Sequence, residues 1–406
     1  MQTAVGKPKN WQSVIASILI FVTIWVLLAI GIRLASGDVI LGADYYTFYT
    51  AARMYLREGI SPYADDVTQT AQLGISGRLL SPEEDQLAFS YPFFMLFLVI
   101  PFGWLDIAIS QALWMSLNLI VSIVVLSYIY YRNKFLIPFA FSFYPIIFGL
   151  IIGNFAYLLG FVLLYSLHQI LFEKPTQSAQ MLIGFLLAWT LGKPQLTLLI
   201  LLFILLVSYI RKYTLTIKSF TFSSLILILI SLLLSPKWPV LWLHQIQSYA
   251  QYNQSKAGYI LSILFSNTPL ARLVFPVLVL VTIFSILIWL RLKVKPTQNQ
   301  ELPHNLLFTN LFLALSLLLM PRTLSTDQIL IFIGLVLGTK YLNNYKITIP
   351  LWLFYTSLSW ITFASGDMFG FSSTNVIFPL IASTTWPVIF WLLIRKSTRE
   401  FEYAPL

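Results

Sequence analysis

One carboxylate, Asp44, follows shortly after the first long apolar stretch of the sequence. Aromatic and apolar residues then recur every three or four positions, at Tyr45, Phe48, Tyr49, Ala52, Tyr55 and Leu56. This spacing predicts an amphipathic helix at the membrane interface, with Asp44 at or near its N-terminus. The helix dipole favours the ionised carboxylate there, which is the form that a general base needs. A simple helix N-cap is the plainer interpretation of an isolated aspartate.

Two cations stand at breaks between apolar stretches. Lys193 precedes Pro194, which interrupts a helix and frees backbone donors, so a cation beside this break suits a phosphate group. Arg322 follows Pro321 at the end of another stretch, and a guanidinium is the better fork for phosphate oxygens. Two simpler alternatives stay open. Lys193 could snorkel to the membrane surface, and Asp327 could pair with Arg322 or cap the next helix.

Aromatic and amide side chains concentrate between residues 236 and 269, where they suit stacking on sugar rings and equally suit the aromatic belt of any membrane protein. They comprise Trp238, Trp242, His244, Tyr249, Tyr252 and Asn253, with Lys237 and Lys256. The chain has no cysteine, which excludes thiolate nucleophiles, disulfides and iron–sulfur clusters. His168 and His304 lie away from these features, and Asp44 with Asp327 are too few carboxylates to indicate a divalent cation. We therefore expect no cofactor and no metal.

The elements that must position these groups are membrane helices. Of 406 residues, 58% are hydrophobic and 10% are charged, and the mean hydropathy is +0.81. Such a composition indicates an integral membrane protein. Apolar stretches suited to crossing a bilayer as helices lie at 11–35, 107–131, 135–152, 155–172, 178–192, 195–210, 219–235, 270–291, 304–320, 328–341, 348–364 and 376–394. The sequence predicts an all-α bundle of about 12 spans, in a single domain over 1–406.

The basic residues indicate the topology. Short cytoplasmic loops are rich in Lys and Arg. The sets of basic residues in this chain fall on one side of the membrane if both termini are cytoplasmic and the segment 93–104 is a re-entrant or interfacial helix. A thirteenth span at 93–104 is the alternative. The sets are Lys7/Lys9, Arg132/Lys134, Arg211/Lys212/Lys218, Arg291/Lys293/Lys295, Lys340/Lys346 and Arg395/Lys396/Arg399. The loops 36–92 and 236–269 and the polar residues Asn154, Lys193 and Arg322 then reach the outer face. Because the cations flank spans, the net charge of +10 does not indicate nucleic acid.

The ordered motifs resemble glycosyltransferase family 87, of the GT-C superfamily of polytopic enzymes. The resemblance begins with Gly42-Ala43-Asp44-Tyr45-Tyr46-Thr47-Phe48-Tyr49. It continues through Gly59…Pro62-Tyr63, Phe89-Ser90-Tyr91-Pro92, Gly153-Asn154, Lys193-Pro194-Gln195 and Pro321-Arg322-Thr323 before Asp327, and reaches about residue 345. The chain departs from the family pattern in having Asn154 where Gln is expected, and in lacking a His-containing run after Arg322.

The resemblance implies an inverting hexosyltransferase at the outer face of the cell inner membrane. Its donor would be a polyprenyl-phosphate sugar, with mannose the expected hexose, and its acceptor a lipid-linked or glycolipid hydroxyl. Asp44 matches the family's general base, and Lys193 and Arg322 fall where cations could hold the donor phosphate. We expect Tyr45, Tyr63, Asn154, Gln195 and Asp327 to line the substrate site.

Two other functions fit many spans with polar residues between them. A transporter or flippase of lipid-linked sugars would share the broken helices and intramembrane cations. It needs a site near the midplane, whereas these polar residues cluster on one face. An oligosaccharide polymerase or ligase would also use cations for a lipid-linked phosphate, but its large outer loop is typically late in the chain. Here the large loop comes first.

Overall fold

The computed structural model describes residues 11–252, 260–261, 271–293, 301–365 and 373–402. Within these ranges the regular elements are helices and no strand is present, which confirms the predicted all-α class. The first half contains α1 (Trp11–Ser36), α2 (Ala43–Glu58), α3 (Asp65–Ser76), α4 (Ile107–Ile129), α5 (Leu136–Ser142), α6 (Tyr144–Ile152), α7 (Phe155–Phe172), α8 (Gln177–Trp189) and α9 (Pro194–Ile210). The second half contains α10 (Thr214–Leu234), α11 (Trp238–Tyr252), α12 (Ala271–Lys293), α13 (Glu301–Leu319), α14 (Ile329–Leu342), α15 (Tyr345–Ala364) and α16 (Phe378–Glu402).

Eight helices of the described ranges are long and apolar enough to cross a membrane, so the chain is a multi-pass membrane protein. They are α1, α4, α7, α10, α12, α13, α15 and the segment Asn375–Arg395, which runs from a π-helical turn into α16. The 17-residue α9 is a shorter apolar helix. The predicted spans at 178–192 and 328–341 correspond to α8, of 13 residues, and α14, of 14 residues.

Two apolar stretches, 135–152 and 93–104, have a local structure that differs from the one expected from the sequence. The stretch 135–152 is interrupted at Phe143, whose backbone is extended, because Pro145 in the first turn of α6 cannot continue the hydrogen bonding of α5. The stretch 93–104, expected to be a re-entrant or interfacial helix, forms two 3₁₀ helices, Phe93–Leu98 and Ile100–Phe102. Six residues of 3₁₀ helix rise only about 12 Å, so this segment does not provide a thirteenth span.

Burial distinguishes central from peripheral helices. In α7, 83% of the apolar window is buried, against 6% in α1. The helix α14 is buried continuously from Ile329 to Thr339. The core is built by α7, α9, α13 and α14, whereas α1, α10 and α12 present apolar side chains outward, as lipid-facing helices do.

The first turn of α2 rests on the C-terminal end of α6. A Cβ added at Gly42 would lie 2.8 Å from the carbonyl oxygen of Ile152, which is closer than packing allows. A glycine at this position therefore lets the two helix ends approach each other. This contact fixes where the side chain of Asp44 emerges relative to the start of α7.

Candidate active site

The polar residues singled out in the sequence meet around one cavity of about 370 Å³. Its walls are the first turns of α2 and α9, the α6–α7 corner, one face of α11, and the segments 85–91 and 321–327. The lining residues are Asp44, Thr47, Phe48, Asp85, Leu87, Ala88, Ser90, Tyr91, Asn154, Gly192, Lys193, Pro194, Gln195, Trp242, Ile246, Tyr249, Ala250, Pro321, Arg322, Leu324 and Asp327. Residues far apart in the chain thus face one concave volume, of a size typical of small-molecule sites.

Asp44 is the second residue of α2, but it is not the N-cap. The N-cap is Gly42, and no side chain caps this helix end. The carboxylate instead accepts a hydrogen bond from Asn154, with 2.7 Å between Nδ2 of Asn154 and Oδ2 of Asp44. The simple capping interpretation of Asp44 is therefore wrong, and the carboxylate faces the cavity.

Burial has a larger effect on Asp44 than the helix N-terminus that the sequence emphasised. Loss of water raises the pKa of the Asp44 carboxyl from 3.8 to about 6. The hydrogen bond from Asn154 and the charge of Lys193 lower this pKa, while the neighbouring Asp85 and Asp327 raise it. A carboxylate with such a pKa is ionised about ten to one at pH 7 and still binds a proton readily.

Lys193 makes a buried ion pair with Asp327. The distance from Nζ of Lys193 to Oδ1 of Asp327 is 2.5 Å, and the residues are 4% and 2% exposed. The second oxygen of Asp327 accepts a hydrogen bond from the backbone N–H of Leu324 at 3.0 Å. From the sequence, Asp327 was expected either to pair with Arg322 or to cap the next helix, and snorkelling was the alternative for Lys193. The structure pairs Asp327 with Lys193, and the second oxygen of Asp327 also caps the 3₁₀ turn Ser325–Gln328.

The break that positions Lys193 is the one expected from Pro194. The helix α8 ends at Trp189, a 3₁₀ turn covers Thr190–Gly192, and α9 begins at Pro194. Proline suits this position because its missing N–H is one that a helix start leaves unpaired in any case. Lys193 consequently lies at the N-cap of α9, and Gln195 in its first turn also lines the cavity.

Arg322 lines the same cavity and keeps unused hydrogen-bonding capacity. Its Nη1 is buried and has no hydrogen-bond partner among the residues that the structure describes. A buried guanidinium donor without a partner is costly, unless a ligand completes it. An anion in the cavity would supply the missing acceptor.

Tyr45 and Tyr63 do not reach the cavity, although the sequence suggested them as lining residues. The ring of Tyr45 stacks on Trp114 at 5.4 Å, and its hydroxyl lies 2.6 Å from the hydroxyl of Ser110. The Tyr63 hydroxyl donates to the carbonyl oxygen of Tyr91 at 2.9 Å. Tyr63 therefore contacts a residue that lines the cavity, whereas Tyr45 packs on Trp114 and Ser110, which do not line it.

Sequence reasoning missed Asp85. This carboxylate lies at the cavity wall and is exposed, and its Oδ1 accepts a hydrogen bond from the backbone of Leu87 at 3.3 Å. The available signal was the acidic run of residues 83–85, in which Glu84 is already paired with Arg78 at 2.6 Å. A run of surface acids does not reveal which member faces inward.

The aromatic segment 236–269 contributes one helix face. In α11, Trp242, Ile246, Tyr249 and Ala250 line the cavity at helical spacing. The indole N–H of Trp242 donates to the carbonyl oxygen of Ser90 at 3.2 Å, which ties α11 to the segment 85–91. Asn253 and Lys256, also named from the sequence, lie outside the described residues.

Within the described ranges, no three His, Cys, Asp or Glu side chains lie together in a way that could hold a metal ion. The polar groups of the cavity are instead two cations, three carboxylates, amides and tyrosines. This arrangement can accept a proton at Asp44 and bind an anion at Arg322.

The fold and the site define a class of protein: a multi-pass helical membrane protein with one cavity that holds a carboxylate and an arginine side chain. The buried Nη1 of that arginine has no hydrogen-bond partner among the described residues. Comparison with family models shows a match to glycosyltransferase family 87 over residues 89–321. The chain belongs to this family and is a membrane glycosyltransferase. The matched range includes Asn154, Lys193 and Gln195, while Asp44 precedes it and Arg322 directly follows it. Comparisons with the curated proteins and with the solved structures give no significant match.

Proposed function

We propose that the enzyme transfers a hexose from a polyprenyl-phosphate donor to a hydroxyl of a lipid-linked or glycolipid acceptor, with Asp44 as the general base. One observation carries this proposal. A carboxylate with a pKa of about 6 and a guanidinium with an unpaired buried donor face the same cavity. The first group suits activation of a hydroxyl, and the second suits the phosphate that leaves.

In the proposed step, the acceptor oxygen forms a bond to the anomeric carbon of the donor sugar. The acceptor proton passes to Asp44 as that bond forms. The bond between the anomeric carbon and the phosphate oxygen breaks, and polyprenyl phosphate leaves with the electron pair. Attack from the face opposite to the phosphate inverts the anomeric carbon.

Arg322 makes the direct contact to the donor phosphate in this proposal. Charge-assisted hydrogen bonds from arginine to phosphate are among the stronger polar contacts in proteins, and they are frequently bidentate. Lys193 also lines the cavity, but its ammonium is already engaged with Asp327 at 2.5 Å. We therefore assign to Lys193 a supporting role through its charge. The donor that is available for the phosphate is the buried Nη1 of Arg322, which has no partner among the described residues.

The transferred sugar must lie between Asp44 and Arg322, since its anomeric carbon is bonded to the phosphate before transfer and to the acceptor afterwards. The remaining cavity wall offers partners for sugar hydroxyls and a sugar ring. These are Asn154 and Gln195, the carboxylate of Asp85, and the aromatic residues Tyr91, Trp242 and Tyr249. A wall with aromatic and carboxylate groups suits a hexose better than an apolar cargo.

The finer assignments depend on the family resemblance and on the charge pattern. Mannose is the hexose that the resemblance favours, and the excess of basic residues near the other loops favours an active site on the outer face of the cell inner membrane, with both termini cytoplasmic. We expect transfer to need no added metal, because two cations line the cavity where the leaving phosphate would bind.

The donor class is tested with the purified full-length chain in lipid nanodiscs containing a membrane lipid extract. Radiolabelled polyprenyl-phospho-hexoses and the corresponding nucleotide sugars are supplied separately, with and without EDTA. We expect label to appear in a new glycolipid from one polyprenyl-phosphate sugar, and we expect EDTA to leave this transfer unaffected. Transfer from nucleotide sugars alone would contradict the proposed donor, and label that crosses the membrane without forming a product would favour a flippase.

A further inference from the structure

The corner between α6 and α7 is held rigidly where it meets Asp44. The helix α6 ends at Gly153, whose φ of +71° places it in the left-handed region. The indole N–H of Trp114 donates to the carbonyl oxygen of Gly153 at 3.0 Å. A Cβ at Gly153 would lie 2.7 Å from Cβ of Tyr45, so α2 packs directly on this corner. Asn154 therefore occupies a fixed position relative to α2.

The orientation of the Asn154 amide follows from its two contacts. Its Oδ1 accepts a hydrogen bond from the backbone N–H of Ala156 at 2.7 Å and so caps α7. A backbone N–H can only donate, hence the oxygen of the amide must face Ala156 and the NH₂ group must face Asp44. A flipped amide would set two donors against each other at one end and two acceptors at the other.

The Asn154 NH₂ group engages one carboxylate oxygen and leaves the other available. Asn154 is 3% exposed, and its Nδ2 lies 2.7 Å from Oδ2 of Asp44. No second hydrogen bond to the Asp44 carboxylate occurs in the part of the chain that the structure describes. One oxygen is thus anchored, while the carboxylate as a whole lines the cavity.

We infer that Asn154 is a positioning residue for the proposed general base. Its oriented amide anchors Oδ2 of Asp44, aims Oδ1 at the acceptor hydroxyl, and favours the ionised carboxylate at neutral pH. This inference rests on the proposed function for its catalytic meaning. Its structural content, a donor that stabilises the ionised form of Asp44, can be measured without any transfer reaction.

Charged and titratable groups from every neighbouring wall also act on Asp44. Lys193 at the start of α9 favours ionisation, whereas Asp85 and Asp327 oppose it. Further groups on the cavity wall are Tyr91, Tyr249 and Arg322. The side chain of Tyr91 also interacts with that of Asn154, so this contact is lost together with the one to Asp44. The charged groups Lys193, Asp85 and Asp327 stay in place when Asn154 is replaced, so a shift in the titration of Asp44 reports on the loss of the amide.

Asn154→Ser separates the two contacts of this residue. Serine is as good an N-cap as asparagine, so α7 keeps its capping acceptor, but its short hydroxyl cannot donate to Asp44 from the same position. Removal of a donor to a charged group raises the pKa of the carboxyl by about one unit. We expect the acidic limb of the kcat/KM profile to move upward by about one pH unit. Asn154→Asp keeps the cap, adds a negative charge and should move the limb further.

Asn344→Ser is the matched control. Asn344 caps α15 in the same way, with 3.0 Å between its Oδ1 and the backbone nitrogen of Lys346, and it does not line the cavity. The same chemical change there should leave the pH profile unaltered. An equal shift in Asn344→Ser would mean that helix capping in general, and not the contact to Asp44, sets the profile.

Infrared difference titration makes the outcome independent of turnover. The carboxyl band that is present in the wild-type chain and absent in Asp44→Asn reports the protonation of Asp44. A higher midpoint in the Asn154→Ser background supports the inference, and an unchanged midpoint overturns it. If the wild-type chain transfers no sugar but Asn154→Ser still raises the titration midpoint of Asp44, the proposed function is rejected and the positioning contact is retained. If the wild-type chain is active but Asn154→Ser changes neither the titration midpoint of Asp44 nor the acidic limb of the kcat/KM profile, only the inference about Asn154 is rejected.

Discussion

Replacement of Arg322 by alanine should weaken binding of a polyprenyl-phosphate donor while leaving the fold intact. The buried Nη1 of Arg322 makes no hydrogen bond within the described residues, so removing it breaks no hydrogen bond of that atom within them. A hydrogen bond to a charged group contributes about 1.5–3 kcal/mol. Loss of one such bond to the donor phosphate corresponds to about 10- to 150-fold weaker binding.

The assay for Arg322 measures donor affinity without turnover. Both the reference and the Arg322→Ala variant carry Asp44→Asn, and binding of a fluorescent polyprenyl-phospho-hexose is titrated in nanodiscs. Arg322→Lys should be intermediate, because it keeps the charge and loses the planar fork. Arg57→Ala is the control for loss of a charge, since Arg57 is exposed, donates to the carbonyl oxygen of Trp104 at 3.2 Å and does not line the cavity. A dissociation constant for Arg322→Ala within twofold of the reference would refute the phosphate assignment.

Three other predictions follow from the cavity. Because burial raises the pKa of Asp44 to about 6 and the carboxylate is the active form, kcat/KM should be halved near that pH and fall about tenfold per unit below it; a flat profile down to pH 5 would exclude Asp44 as the base. Lys193→Met should lower the midpoint of thermal unfolding, because it leaves Asp327 buried without its ion-pair partner, at a cost of about 3–5 kcal/mol. Adding Asp327→Asn should restore much of the lost stability. Gly153→Ala should lower both thermal stability and kcat, because the added Cβ would meet Tyr45 at 2.7 Å in a left-handed backbone; wild-type values for both would contradict the packing argument.

Helix type and the main helix breaks were predictable from the sequence. Long apolar stretches allow little besides membrane helices, and the interruption at Lys193-Pro194 follows from the chemistry of proline. The break at Phe143 carried the same signal in Pro145, which the length of the apolar stretch obscured. The 3₁₀ geometry of 93–102 was not predictable, because an apolar aromatic run has no signature that separates it from a short α-helix.

The sequence allowed several residues of the candidate site to be predicted, but not which side chains form hydrogen bonds or ion pairs with each other. Charge and position singled out Asp44, Lys193 and Arg322, all of which line the cavity. The partner of Lys193 is Asp327, because tertiary packing brings together two segments that are 134 residues apart in the chain. The partner of Asp44 is Asn154, for the same reason. Sequence order does not encode such distances.

The pKa of Asp44 shows why local reasoning was incomplete. A helix N-terminus favours the ionised carboxylate by a few tenths to about 1 kcal/mol. Burial acts in the opposite direction and dominates, raising the pKa from 3.8 to about 6. The depth of a side chain depends on tertiary packing, so the sign of the shift needed the folded structure.

The most direct test of the account compares single-turnover transfer by the wild-type chain, Asp44→Asn and Asp85→Asn with a radiolabelled polyprenyl-phospho-hexose. Both variants convert a carboxylate of the same cavity into the isosteric amide. We expect Asp44→Asn to form no labelled glycolipid, although it folds and binds the donor as the wild type does, while Asp85→Asn still turns over. Transfer by Asp44→Asn at the wild-type rate would mean that this carboxylate does not remove the acceptor proton.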